Sequence, residues 1–130
     1  QADGIHAEDY CTIKDSTSAA NFNCGITIAN RCRVVGNTCG ENGLINTNAC
    51  GILINGDNNI VEGNNVMGNN FGIKINPLKA GNFVVRNVAA KNGINADWPP
   101  PPAGNYIGPV DILSFGNFTN TNPWSNFKVP

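Results

Sequence analysis

Short stretches of alternating apolar and polar residues recur along this chain, and the same dipeptide opens each one. Gly4-Ile5, Gly25-Ile26, Gly51-Ile52, Gly72-Ile73 and Gly93-Ile94 follow one another at intervals of 21, 26, 21 and 21 residues. Set in register they read Gly-Ile-His-Ala-Glu, Gly-Ile-Thr-Ile-Ala, Gly-Ile-Leu-Ile-Asn, Gly-Ile-Lys-Ile-Asn and Gly-Ile-Asn-Ala-Asp. A period of two is that of a strand with one buried face. Ile5, Ile26, Ile52, Ile73 and Ile94 are therefore expected inside, with Ala7, Ile28, Ile54, Ile75 and Ala96, while His6, Thr27, Leu53, Lys74 and Asn95 face out. A second run begins 9 to 12 residues after the Gly, with Ile13, Val34, Val61 and Val84 inward and Lys14, Val35, Glu62 and Val85 outward.

A unit of about 20 residues cannot bury its apolar side alone, and stacking of successive units does so. The reading is an all-β solenoid of about five coils of roughly 21 residues over 1–98, in one domain with 99–130. In 99–130, Pro99 to Pro102 cannot donate ladder hydrogen bonds and interrupt the coils. Tyr106 to Leu113 has the β character of a last partial coil, and an aromatic tail with Trp124 and Phe127 is expected to fold back as a cap. The five extra residues of the 26-residue step are placed within Glu41–Ala49, as a loop outside the stack.

Three positions after the inward residue of the second run stand Ser16, Asn37, Asn64 and Asn87. An Asn amide both donates and accepts, so equivalent residues one coil apart can form a hydrogen-bonded ladder of Asn37, Asn64 and Asn87. The Gly residues that open the first strands are expected to supply positive φ at a corner. The composition agrees with such turns: 24 Asn and 15 Gly in 130 residues. Only 13% of residues are charged and the net charge is −1, which gives nucleic acid and anionic membrane surfaces no electrostatic partner. No apolar run approaches the roughly 18 residues of a membrane span, so no membrane insertion is expected.

The Gly-Ile-x-Ile strands, with Val34-Val35-Gly36-Asn37-Thr38 and Val61-Glu62-Gly63-Asn64-Asn65, resemble the right-handed parallel β-helix repeat family, the pectate-lyase-like superfold. The resemblance covers residues 4 to about 98. The ending, Tyr106-Ile107-Gly108-Pro109-Val110 with Asn122-Pro123-Trp124-Ser125-Asn126-Phe127, looks like that of larger secreted bacterial proteins of this family. It implies a right-handed coil, an extracellular or cell-surface setting, and upstream coils. The first repeat opens four residues from Gln1, so the top edge is expected to be covered by such coils or by another copy of the chain.

Lyases of this superfold carry acidic Ca²⁺ ligands and a basic residue on the outward face of the first strand. Here the outward columns are His6, Thr27, Leu53, Lys74, Asn95 and Glu8, Ala29, Asn55, Asn76, Asp97. Glu8 and Asp97 stand four coil steps apart at about 4.8 Å each, too far to share a metal. Neither a metal site nor a cofactor is expected. Lys74 lacks an acidic neighbour at its own position, and His6 beside Glu8 is the one general acid/base pairing. These three are weak catalytic candidates beside their reading as surface residues, and Asp57, Glu62 and Arg86 read as solvated positions. Asn55, Asn76 and Asn95 on consecutive coils are candidate glycan-binding residues, though turn ladders explain Asn equally well.

Cys11 and Cys32 both fall seven residues after their Gly, and Cys24 and Cys50 both precede one, so each pair stacks on neighbouring coils. The spacing lies within the disulfide range of Cα separations, and both pairs are disulfide candidates. A buried thiol stack is the other reading, and Cys39 is left over. The expected function is a non-catalytic extracellular solenoid module, structural or glycan-binding, stacking on itself into filaments. The alternative, implied by the superfold, is a fragment of a polysaccharide lyase, epimerase or hydrolase, or of a phage tailspike.

Overall fold

The computed structural model describes residues 3–43, 45–97, 104–112 and 120–129, with the backbone alone at Ala96 and Asp97. The chain is a parallel β-solenoid, and no helix occurs among the described residues. Each coil has three short strands. The first coil holds β1 (Ile5–Ala7), β2 (Thr12–Lys14) and β3 (Thr17–Ala19); the second β4 (Ile26–Ile28), β5 (Arg33–Val35) and β6 (Thr38–Gly40). The third holds β7 (Cys50–Ile54), β8 (Ile60–Glu62) and β9 (Asn65–Met67), and the fourth β10 (Phe71–Ile75), β11 (Phe83–Val85) and β12 (Val88–Ala90). A partial fifth coil has β13 (Ile94–Asp97), β14 (Tyr106–Ile107) and β15 (Val110–Ile112), and β16 (Asn126–Val129) ends the described chain. The stack thus has about four turns where the periodicity predicts about five.

Equivalent strands pair in parallel from coil to coil and make three sheets: β1-β4-β7-β10-β13, β2-β5-β8-β11-β14, and β3-β6-β9-β12-β16-β15. The third sheet is absent from the sequence reading, because its strands are three residues long and turn inward only Ser18, Cys39, Val66 and Ala89. The interior is stacked Ile and Val: Ile26, Ile28, Ile52, Ile54, Ile73, Ile75, Val34, Val61 and Val84 are all at most 1% exposed. Full burial of one such side chain stabilises by about 1.5–3 kcal/mol, which is what makes stacking favourable.

The corners are built from a pair of residues. At each, a residue with positive φ precedes a residue whose side chain enters the stack: Asp15, Gly36, Gly63 and Arg86 precede Ser16, Asn37, Asn64 and Asn87. Ala20, Glu41, Gly68 and Lys91 do so at the next corner, and Tyr10, Arg31, Asn58, Gly81 and Gly104 at the remaining one. The glycines that open the first strands are a different matter and correct the expectation of positive φ there. None of Gly4, Gly25, Gly51, Gly72 or Gly93 has it; they are glycine for lack of room, a Cβ on Gly51 falling 2.2 Å from Val66 Cγ1. Exposed Lys91, at φ 51°, is an L-residue in a conformation that suits glycine. Lys91→Gly is expected to raise stability by about 0.5–1 kcal/mol, read as a higher urea midpoint at unchanged slope.

Two expectations, for Ile94 and Asn95, are corrected by the register. The fifth Gly-Ile pair is two residues out of step: Phe71 pairs with Ile94 and Ile73 with Ala96. Ile94 is consequently 49% exposed, and Asn95, expected outside, is buried. Val85 and Thr27, also expected outside, are buried as well, with Gly108 lying beside the Val85 side chain. The extra residues of the second coil do fall after Asn42, between β6 and β7.

The tail does not cap the stack as a lid. β16 enters the third sheet between β12 and β15, pairing Phe127 with Val88 on one side and with Asp111 on the other. Trp124 stays at the surface, 40% exposed. Trp98, Pro99 to Pro102 and Leu113 lie outside the described residues.

Candidate functional site

Three columns of side-chain amides run through the stack. In the first, Ser16 N–H donates to Asn37 Oδ1, Asn37 donates to Asn64 and Asn64 to Asn87, each Asn through both its backbone N–H and its Nδ2 at 2.9–3.0 Å. Asn87 donates in turn to Asn126, 39 residues on, so β16 supplies the rung that a regular fifth coil would have. A second column links Asn21, Asn42, Asn69, Asn92 and Asn95. A third links Asn59, Asn82 and Asn105 and begins at Cys32, whose N–H donates to Asn59 Oδ1 at 2.7 Å. Apart from Asn21 and Asn95, the spare amide hydrogen of each column Asn turns back to a carbonyl of the previous coil, as Asn64 Nδ2 does to Val34 O at 3.0 Å. Corner backbone that water cannot reach is thereby paired.

The outward face of the first sheet carries most of the sequence candidates. His6 lies between two carboxylates, Nε2 3.2 Å from Glu8 and Nδ1 3.5 Å from Asp3. The hydrogen bond to Glu8, then that to Asp3, raises its pKa above 6.5. A raised pKa means that the fold favours the imidazolium: its contribution is present below pH 6.5 and is lost as pH rises through the folded value. His6 is the one histidine, and its proton-NMR titration is expected to have a midpoint above 6.5 that Glu8→Gln moves back down. A midpoint at or below 6.5 would show that the carboxylates do not hold the ring.

Lys74 stands three coils away. Its ammonium lies 4.3 Å from the Phe71 ring centroid, and the register places Asp97 opposite it, which corrects the expectation that no acid shares its position. The structure does not bring Lys74 to His6 and Glu8. Asn55 and Asn76 do meet, Asn76 Nδ2 donating to Asn55 Oδ1 at 2.5 Å near the surface. Asn95 does not join them; it is 5% exposed, accepts from Asn92 and donates to Val129 O, and so belongs to the second column. Among the described residues no three His, Cys, Asp or Glu side chains converge as a metal site would require.

No disulfide joins the five cysteines, and Cys24, Cys32, Cys39 and Cys50 are buried. Cys32 stands in an Asn column and imitates the amide, its thiol donating to Glu8 O at 2.8 Å as Asn59 Nδ2 donates to Ala29 O. Cys39 lies in the core column between Ser18 and Val66, where burial pushes its pKa up to about 12.

Sequence reasoning missed the outer face of the second sheet. Arg33, Ile60, Phe83 and Tyr106 form one column there; the rings of Phe83 and Tyr106 stack at 5.0 Å, and Trp124 meets Phe83 edge-on at 6.0 Å. Glu62 bridges Arg86 at 3.0 Å and Arg33 at 3.9 Å, and the Arg86 guanidinium also lies 4.4 Å over the Trp124 ring. The signal was available, since Ile60, Phe83 and Tyr106 each directly follow a column Asn. A shallow depression of about 200 Å³ lies at the other corner, lined by Ala20, Asn21, Phe22 and Ile45.

Comparison with protein-family models, with curated proteins and with solved structures finds no match.

Proposed function

We propose that this chain is a non-catalytic β-solenoid module of pectate-lyase-like descent, working outside the cell. It holds a rigid polar surface toward glycans and stacks end to end on further copies of itself. The observation that carries the reading is the set of Asn columns, which fix every coil to the next through paired amide hydrogen bonds. A stack held in this way repeats its outer faces at each coil step of about 4.8 Å, as suits a scaffold that presents a surface. Asn55 and Asn76 are the sugar-facing pair, since one amide hydrogen bond between them leaves both with further capacity for hydroxyls. End-to-end stacking uses the backbone groups of the terminal parallel strands.

One observation favours the rival reading of a carbohydrate-active enzyme: His6 held by Glu8 and Asp3 is a workable acid/base pair. Electrophoresis through gels containing neutral or acidic polysaccharides, with electron microscopy of the same material, decides between them. Retardation without bond cleavage, and rods that lengthen with concentration, is the expected result. New ultraviolet-absorbing unsaturated ends would transfer the case to the enzyme, and unretarded single-chain particles at every concentration would overturn the proposal.

A further inference from the structure

Both stacked cysteine pairs bring two sulfurs to neighbouring coils, but the sulfurs differ in what they already do. Cys32 serves the third column in place of an Asn, whereas Cys11 and Cys50 each donate only to the carbonyl two residues back, Asp9 O and Asn48 O, both at 3.5 Å. Cys24 and Cys50 have no ladder task. They stand where the first sheet begins, and their backbones are fixed one coil apart: Gly25 N–H donates to Cys50 O at 2.9 Å, and Cys50 N–H donates to Cys24 Sγ at 3.2 Å. Parallel neighbours lie about 4.8 Å apart, inside the range of Cα separations that a disulfide spans. Asp3 Oδ1 holds the other side, accepting from Cys24 N–H at 3.1 Å.

We infer that Cys24 and Cys50 form a thiol–disulfide exchange site that takes a small-molecule disulfide as its oxidant and closes to a bridge between the second and third coils. Cys24 is the attacking sulfur. The hydrogen bond from the Cys50 thiol pulls its pKa down to about 7 against the opposing effect of burial, while burial pushes Cys39 and Cys32 up. In the first step Cys24 loses its proton and attacks one sulfur of the small disulfide, forming a mixed disulfide and expelling a thiolate that takes up that proton. In the second, Cys50 loses its proton and attacks the Cys24 sulfur, expelling the second small thiolate, which is protonated in turn. Two protein thiols are oxidised to one disulfide, and one small disulfide is reduced to two thiols. The bridge closes the 26-residue step between the second and third coils, pinning the longest of the first three steps of the stack.

The test equilibrates the full chain in glutathione buffers graded from reduced to oxidised. Exchange is stopped with acid, free thiols are alkylated in denaturant, and the peptides are mapped by mass spectrometry. Expected is protection of Cys24 and Cys50 together, as a linked pair, with Cys11, Cys32 and Cys39 alkylated throughout. Oxidation is also expected to raise the thermal midpoint by about 5 °C, and Cys50→Ser to abolish both the rise and the link. Five alkylated thiols in every buffer, a glutathione adduct that persists on Cys24, or a Cys11–Cys32 link in place of Cys24–Cys50 would each overturn the inference. Mapping the unaltered chain decides this even if the variant fails to fold.

Discussion

Replacing Asn64 by Ala is expected to cost about 2–4 kcal/mol of stability. Asn64 is 1% exposed and sits in the middle of its column, so nothing but protein can meet the groups it leaves. Its Oδ1 accepts both from Asn37 N–H at 2.9 Å and from Asn37 Nδ2 at 3.0 Å, while its Nδ2 donates to Asn87 Oδ1 and to Val34 O. After truncation Asn37 Nδ2 still has the Ile13 and Val35 carbonyls, but the Asn37 N–H has no acceptor in reach. An orphaned buried donor costs about 1–3 kcal/mol, and the weakened pairing of Asn87 and of the Val34 carbonyl adds about 1 kcal/mol. Asn65 is the control, adjacent in sequence and only partly buried; Asn65→Ala is expected to cost less than about 1 kcal/mol. Urea unfolding at unchanged slope measures both. A loss below about 1 kcal/mol at Asn64 would mean that the columns accompany the stack without holding it.

The coil period was legible because the interior demands it: Ile26, Ile52 and Ile73 must lie above one another, and the Gly before each must be Gly for want of space. The second run was legible on the same ground, through Val34, Val61 and Val84. The third strand was hidden because Ser18, Cys39 and Ala89 carry no hydrophobic signal. Its trace is a five-residue beat, Asn59, Asn64, Asn69 and again Asn82, Asn87, Asn92, in which each Asn marks a corner. Reading that beat would have revealed three columns in place of one. It would also have placed the extra residues of the fourth coil before Asn82, around Pro77 and Leu78, and so removed the two-residue error at Gly93-Ile94.

The site was less legible for a physical reason. A parallel stack aligns residues by column, and a column assignment is only as good as its register. The error at the last Gly-Ile moved Asn95 from the buried second column to the surface and moved Asp97 away from Lys74. The pairing of Phe83 with Trp124, and of Arg86 with the Pro123 carbonyl at 2.9 Å, depends on a tail whose path no repeat specifies. By contrast Cys24 and Cys50 lie within the regular part, and their stacking follows from the Gly-Ile pairs directly.

Gly51→Ala is expected to be as damaging as the loss of Asn64, at about 2–4 kcal/mol, and for a different reason. The new Cβ would fall 2.2 Å from Val66 Cγ1, 2.9 Å from Asn69 Nδ2 and 2.9 Å from the Gly72 carbonyl. Val66 is fully buried, Asn69 is a rung of the second column, and Gly72 O is the backbone of the next coil, so relief at one contact is taken from another. Gly63→Ala separates space from backbone conformation. Gly63 has φ 65° with nothing within 4 Å of its Cβ position, and only the left-handed backbone penalty of about 1 kcal/mol applies. The order of the two losses is the test: a Gly63 loss equal to or above that at Gly51 would mean that the opening glycines are there for conformation after all. Adding Val66→Ala to Gly51→Ala removes the nearest clash and leaves the other two. The double variant is therefore expected to lose less than the two single losses together, with a coupling above about 1 kcal/mol, while the Asn69 and Gly72 contacts keep it less stable than Val66→Ala alone.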